Sequence, residues 1–552
     1  MHRNIFLPAI AAIAVFAQST GKDPAAAGTL TVATMDYKFA AVPTPTISYP
    51  IDVWGTVWYP EDLARGPFPL VLLLHGNHGI CRLPGTLTDL GTTTFPPNCP
   101  QGQLQTPNHS GYEYMATRLA SHGYIVASLN ANAINVRANG NSERGAMTME
   151  HLRYWEVWNS PEGGMPFGTR FSGKVNLKNI GLMGHSRGGE GVRAGLEFNR
   201  QAGSPFAIKG IIEIGPVDFG RTTSATAVTT GNPTYNATDT AFAVILPSCD
   251  ADVFDNQGMR VFDRAAGILE RTHATPKSHL YVLGANHNFY NSEWTPEDPG
   301  FSCIDFPIIT DRAQQEAIGL VYVMGFMRTY LGGEDFKYLF HGDQPQPPSI
   351  RTPVQHAYTE SPSKTLVIDD FTHPVSPEVN TAGGPNVPNN LTIVRCVGAQ
   401  CNNPPPAAWR HDPGLAVARI DWPGPATSTP HLAIHTGENG GPRDVTSQSL
   451  LSFRVAAAFD LKNPLVGTQN FSIRLVDATG AASNLVAVAD YRQITFPTGY
   501  SVRRSVLRSI RIPLADFKGV DLRQLIRVDL IFDKQTQGAI FLSDVLFAPR
   551  PE

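Results

Sequence analysis

Between about Leu30 and Gly333, short runs of branched apolar residues alternate with amphipathic stretches, and this repetition constrains the fold more than any other feature of the chain. The runs are Pro69–Leu74 (PLVLLL), Tyr124–Leu129 (YIVASL), Ile180–Met183 (IGLM), Ile208–Ile214 (IKGIIEI), Phe242–Leu246 (FAVIL) and His279–Leu283 (HLYVL). Each is too short for a buried helix and rich in Val, Ile or Leu, the pattern of strands covered on both faces. Gly111–Ser121 and Gly189–Gln201 carry helical spacing between them, and Asp311–Leu331 reads as a long apolar helix that closes the region. Repetition of this kind predicts a largely parallel α/β sheet covered by helices, over residues 28–340.

The pattern then changes. Residues 341–364 contain Pro345, Pro347, Pro348, Pro353 and Pro362 among polar residues, which predicts a linker or an extended strap. Beyond Thr365 a period of two takes over: Phe471, Ile473 and Leu475 face one way, as do Val528, Leu530 and Phe532, with turns at Asp477–Gly480 and Gln535–Gly538. Residues 365–549 therefore read as an all-β sandwich. The chain's 552 residues, 42% hydrophobic and 16% charged, are ample for two cores. A net charge of −4 provides no positive field for a phosphate backbone, which argues against a nucleic-acid partner.

A short basic start, Met1-His2-Arg3-Asn4, precedes an apolar run from Ile5 to Ala17 that ends in small residues. The run falls short of the about 20 apolar residues of a membrane span, so residues 1–17 read as a secretory signal peptide and the protein as exported, not as an integral membrane protein. In an oxidising compartment the six cysteines are expected in disulfides. Sequence order pairs Cys81 with Cys99, Cys249 with Cys303 and Cys396 with Cys401. His75 and His78 stand at H-x-x-H spacing, but in a Gly-rich turn with no third ligand nearby, so neither a metal nor another catalytic cofactor is expected.

The strongest chemical signal is Gly184-His185-Ser186-Arg187-Gly188, a G-x-S-x-G lying directly after a predicted strand and before a predicted helix. Glycines two residues either side of Ser186 are needed because the strand-to-helix turn is too tight for a Cβ there. The serine is then held out above the sheet, next to the unpaired N–H groups and positive dipole end of a helix. Ser186 is the candidate nucleophile. Such a serine needs a base, and in folds with this turn the chain order is Ser, then Asp or Glu, then His. His287, in Gly284-Ala285-Asn286-His287-Asn288, follows the last predicted strand and precedes the final helix, and is the candidate base.

The loop Pro247-Ser248-Cys249-Asp250-Ala251-Asp252-Val253 supplies two competing acids. Asp252, further from the strand end, is preferred as the residue that reaches His Nδ1 and holds its tautomer, with Asp250 capping the turn. Asp218, in Gly215-Pro216-Val217-Asp218, is a third candidate that also reads as a turn former. The two backbone donors of an oxyanion hole fit Arg187, after the nucleophile, and Asn77, in the Leu74-His75-Gly76-Asn77-His78-Gly79 turn after an early strand. The Arg187 side chain can meet a substrate carboxylate or carbonyl, or pair with Glu190 one turn on.

Over Leu30–Gly333 these features together resemble an α/β-hydrolase of the cutinase and polyester-hydrolase (dienelactone-hydrolase-like) branch: an HG turn after an early strand, the elbow GHSRGG, an acid three residues after a cysteine, and a histidine in a Gly-Ala-Asn-His loop. Chlorophyllases are similar at the elbow. In the polyester-hydrolase branch the cysteine before the acid is often bridged to one shortly after the catalytic histidine, which implies Cys249–Cys303 and Asp252. The segment Asn132–Phe171, with Trp155 and Trp158, is longer than compact cutinases carry and is expected either to roof the site or to line a groove. Ile510–Phe517 (IRIPLADF), Gly519–Leu522 and Ala539–Phe547 (AIFLSDVLF) resemble the galactose-binding-like jelly rolls of carbohydrate-binding modules. That resemblance raises Trp409, Trp422, Tyr491 and Tyr500 as stacking residues against buried packing, and Asp369, Asp370 and Asp544 as ligands of a structural calcium.

The expectation is a secreted serine hydrolase, an esterase, lipase or cutinase-like enzyme cleaving a lipid, polyester or plant-wall ester through an acyl-enzyme. The C-terminal part would then engage a polysaccharide or polymer surface. Two other readings stay open: a peptidase or amidase on the same fold, and a surface-binding protein whose sandwich carries the function.

Overall fold

A computed structural model describes residues 23–550 except 46, 89, 92–93, 95–96, 138–139, 221–234, 238, 267–274, 296–307, 373–375, 402–406, 409, 425–427 and 498–502. The signal-peptide segment and Trp409, Tyr500 and Cys303 lie outside the described residues.

The larger sheet has nine strands: β1 (Val32–Thr44), β2 (Ile47–Pro60), β3 (Phe68–Leu74), β4 (Ile125–Leu129), β5 (Val175–His185), β6 (Ile208–Ile214), β7 (Ala241–Pro247), β8 (Lys277–Val282) and β9 (Val354–Thr359). Their spatial order is β1-β2-β4-β3-β5-β6-β7-β8-β9. The strands from β4 through β3 to β8 pair in parallel, as the short apolar runs require. The edges are antiparallel: β1 and β2 form a long hairpin on β4, and β9 pairs with β8. The helices are α1 (Glu113–Ser121), α2 (Asn132–Arg137), α3 (Asn141–Asn159), α4 (Arg187–Gln201), α5 (Gly258–Ala265), α6 (Arg312–Tyr330) and the single turn α7 (Tyr338–His341). No described helix is long and apolar enough to cross a membrane.

Three expectations are corrected. Residues 341–364 are not a free linker, because Val354–Thr359 within them is the edge strand β9. Proline obscured this strand in the sequence, but Pro353 falls just before it, where no ladder N–H is lost. Trp155 and Trp158 line no groove. Both are fully buried on α3, edge-to-face with each other at 5.0 Å and packed with Phe167, Phe171 and Tyr37. Asp369, Asp370 and Asp544 form no cluster that could hold a cation. Asp544 accepts from Arg454 Nε at 2.6 Å, while Asp369 accepts from Asn386 and the Phe371 N–H, and Asp370 from Thr372 and Thr381.

Residues 366–548 form two antiparallel sheets over a common apolar core, one of six strands and one of five. Phe471, Ile473, Leu475, Val528, Leu530 and Phe532 all lie inside it, as their spacing predicted. Trp422 is buried there too, stacked on Phe532 at 4.2 Å, so it cannot stack on a ligand. Tyr491 is partly exposed and donates its hydroxyl to Asp516. The Cys81–Cys99 and Cys396–Cys401 disulfides are present, and there is no free cysteine among the described residues.

Lys277 opens β8 with its ammonium buried and donating to Thr275 Oγ1 at 2.8 Å and to the Thr240 carbonyl. Burial lowers its pKa from 10.5 to about 7. Between those values the unfolded chain binds more protons than the folded one, so this group makes stability rise with pH across that window. Lys277→Met is expected to raise the melting temperature at neutral pH and to flatten its rise toward alkaline pH, as read by scanning calorimetry.

Candidate active site

Ser186 sits between β5 and α4 at φ +58° and ψ −126°, a backbone conformation that costs a non-glycine residue about 1–3 kcal/mol. The surrounding glycines are sterically required. A Cβ on Gly184 would lie 2.3 Å from the Gly188 carbonyl oxygen, and one on Gly188 would lie 2.2 Å from that of Leu74. The turn is held from below, with the Ser186 N–H donating to the Ile214 carbonyl at 2.9 Å. Arg187 is the first residue of α4, so its N–H stands at the positive end of the helix dipole.

The turn after β3 backs directly onto this serine. A Cβ on Gly76 would stand 2.5 Å from Ser186 Cβ and 2.9 Å from its Oγ, which places the Gly76–Asn77 step beside the candidate nucleophile. The His75 ring locks the turn from behind. Its Nε2 accepts from the Ala131 N–H at 2.8 Å, which leaves Nδ1 as the donor to the Gly76 carbonyl at 2.8 Å. Both ring nitrogens are thus engaged, burial holds the imidazole well below its usual pKa, and it is a neutral structural group rather than a metal ligand. Among the described residues no cluster of His, Cys, Asp and Glu could hold a metal ion.

His287 lies beyond β8, 1% exposed, and its Nδ1 donates to Asp250 Oδ2 at 2.8 Å. The acid at Nδ1 is therefore Asp250 and not Asp252. Turn capping and imidazole orientation, opposed as alternatives in the sequence, are both performed by Asp250: its second oxygen accepts the Val253 N–H at 2.6 Å. Asp250 is fully buried, while the Asp252 side chain is 63% exposed with Oδ2 3.5 Å from His287 Nε2. Asp218 is engaged elsewhere, with Arg264 at 2.6 Å and Arg193 at 3.4 Å. Glu190 is taken up by Asn141 and by the N–H groups of Phe219 and Gly220, and the Arg187 guanidinium lies 4.8 Å over the Phe219 ring. Cys249 is disulfide-bonded, and its expected partner Cys303 lies outside the described residues.

Sequence reasoning missed the aromatic rings packed around His287. Trp294 stacks on the rings of His185 and His78, at 4.5 and 4.8 Å, and lies near-parallel to that of His287 at 6.1 Å. His185 bonds the Tyr112 hydroxyl through Nδ1 at 3.0 Å, and burial keeps it neutral. No local signal marks Trp294 or Tyr112, because each reaches the site through the fold.

Gly215 packs against the pair itself, at φ +46°, where a Cβ would stand 3.0 Å from Asp250 Oδ2 and 3.1 Å from His287 Nδ1. With Ser186 and His287 as candidate nucleophile and base, Gly215→Ala is expected to leave the protein folded but to lower ester turnover about 10²-fold, the scale of a small misplacement of reacting groups. Steady-state kinetics beside a circular-dichroism melt checks this.

No protein-family model matches the chain, and no curated protein is significantly similar to it.

Proposed function

We propose that the protein is a secreted serine hydrolase of the α/β-hydrolase type that cleaves carboxylic esters through an acyl-enzyme. Ser186 Oγ attacks the ester carbonyl carbon while His287 Nε2 takes its proton; Asp250 holds the Nδ1–H tautomer and stabilises the imidazolium. The Arg187 and Asn77 N–H groups receive the oxyanion. Collapse of the tetrahedral adduct returns the proton from His287 to the departing alkoxide. Water, deprotonated by the same imidazole, then releases the acid and restores Ser186.

The observation that carries this reading is the strained Ser186 turn, whose preceding residue His185 packs its ring 4.9 Å from that of a buried histidine held at Nδ1 by a buried carboxylate, in the chain order Ser–Asp–His. Disulfides at Cys81–Cys99 and Cys396–Cys401 support export. The substrate class we favour is an extracellular lipid, polyester or plant-wall ester.

Treatment with a fluorophosphonate followed by peptide mapping is expected to mark Ser186, and Ser186→Ala is expected to be neither labelled nor active on short-chain esters. Labelling at another serine, or full hydrolysis by Ser186→Ala, overturns the assignment. An acetyl-to-palmitoyl ester series with a polyester film beside it tests the substrate class. Strict acetyl preference with an untouched film removes the lipid and polymer reading and leaves the esterase standing.

A further inference from the structure

The loop that carries Asp250 runs from the end of β7 at Pro247 to the start of α5 at Gly258. Its inner side is stitched to the loop that carries His287. The Ser248 N–H donates to the Val282 carbonyl at 3.0 Å, the Cys249 N–H to the Ala285 carbonyl at 2.8 Å, and the Gly284 N–H to Ser248 Oγ at 2.8 Å. Its outer side is held by a different part of the chain. Arg504, 3% exposed and more than two hundred residues away in sequence, donates through Nη1 to the Ser248 carbonyl at 2.8 Å and through Nη2 to the Phe254 carbonyl. These two carbonyls bracket Asp250 and Asp252. A planar guanidinium bonded to both sets the separation of the two ends of the turn, which a flexible ammonium does less well.

The same surface of the sandwich follows the chain into α5. Arg410 lies 6.0 Å over the Phe254 ring. His411 Nδ1 and the Asp412 N–H both donate to Asp263 Oδ2, at 2.9 and 3.0 Å, and Arg264 Nη1 donates to Asp412 at 2.9 Å. One continuous apolar core includes Val261, Phe262 and Ala265 of α5 together with Ala456, Leu507 and Phe541 of the sandwich.

We infer that the C-terminal sandwich is a structural part of the active site rather than a separable appendage, and that Arg504 is a positioning residue for Asp250. This rests on the Ser186–His287–Asp250 reading above. Arg504 touches neither Ser186 nor His287; it acts by fixing the loop from which Asp250 meets Nδ1. A carboxylate aligned on Nδ1 stabilises the imidazolium and raises the pKa of the base, so a loosened loop lowers both turnover and that pKa.

The test uses the full chain with Arg504→Ala and Arg504→Lys, assayed on a short-chain ester across pH, with melting temperature and deuterium uptake of residues 248–254 measured in parallel. Arg504→Ala is expected to lower kcat by about 10²-fold with little change in KM. Its acidic limb of kcat should move to lower pH, uptake in 248–254 should rise well below the melting temperature, and Arg504→Lys should recover part of each effect. A folded Arg504→Ala with unaltered kcat, pH limb and uptake overturns the inference. So does a loss of melting temperature and active fraction with the pH limb unmoved, which marks Arg504 as only structural. If the unmutated chain hydrolyses no ester and Ser186 takes no phosphonate, the catalytic reading fails instead. Deuterium uptake then still decides whether Arg504 braces the loop.

Discussion

Asp250→Asn is expected to lower kcat on a short-chain ester by about 10⁴-fold, whereas Asp252→Asn is expected to change it by less than about tenfold. The first value is the scale for an acid-to-amide change at the orienting carboxylate of a serine triad, where the amide favours the wrong imidazole tautomer. Asp250 is buried and bonded at 2.8 Å to Nδ1, so water cannot replace it. Asp252 is mostly exposed and stands 3.5 Å from Nε2, the nitrogen that takes the Ser186 proton in the proposed mechanism, so its charge is screened and its removal leaves the tautomer intact. Steady-state kinetics on both variants, with phosphonate labelling to count active sites, checks the pair. Equal losses, or a larger loss at Asp252, would return the orienting role to Asp252.

The second large effect is expected in stability. Asp263 is fully buried on α5 and accepts from His411 Nδ1 at 2.9 Å, the Asp412 N–H at 3.0 Å and Arg454 Nη1 at 2.8 Å, while Arg454 also reaches Asp544. Desolvation opposes its ionisation, but its partners His411 and Arg454 hold its carboxyl far below the usual carboxylate range. Asp263→Ala leaves a buried guanidinium short of a partner, and removing one member of a buried pair costs about 3–5 kcal/mol. The full chain is expected to unfold in one calorimetric transition, because its core crosses from the large sheet to the sandwich, and Asp263→Ala should shift that transition down as a whole. Two separate transitions in the unmutated protein, with only one of them moved, would show that the halves are energetically independent.

The buried sheet was legible in the sequence because each parallel strand is a run of apolar residues with no solvent face, and all six predicted runs coincide with β3 to β8 apart from their ends. The long hairpin of β1 and β2 was not, since β1 alternates half-buried and exposed residues in an edge position. The Ser186 turn was legible for a local reason: contacts of 2.2–2.3 Å exclude a Cβ at Gly184 and Gly188, and that demand is written into five consecutive residues. His287 was legible from its place after the last parallel strand. The acid was misread: the sequence favoured Asp252 where the structure brings Asp250 to Nδ1, because the two differ by two residues in sequence and only the turn that buries one and exposes the other separates them. Trp155 and Trp158 left open a roof or a groove wall because an aromatic pair has the same spelling in a core. Arg504 carried no signal at all: a guanidinium bonded to two carbonyls about 250 residues away depends on how the two halves dock, and nothing within either half encodes it locally. Local steric and burial demands can be read along a chain, whereas a choice among equivalent polar groups is made only when tertiary packing decides which of them loses water.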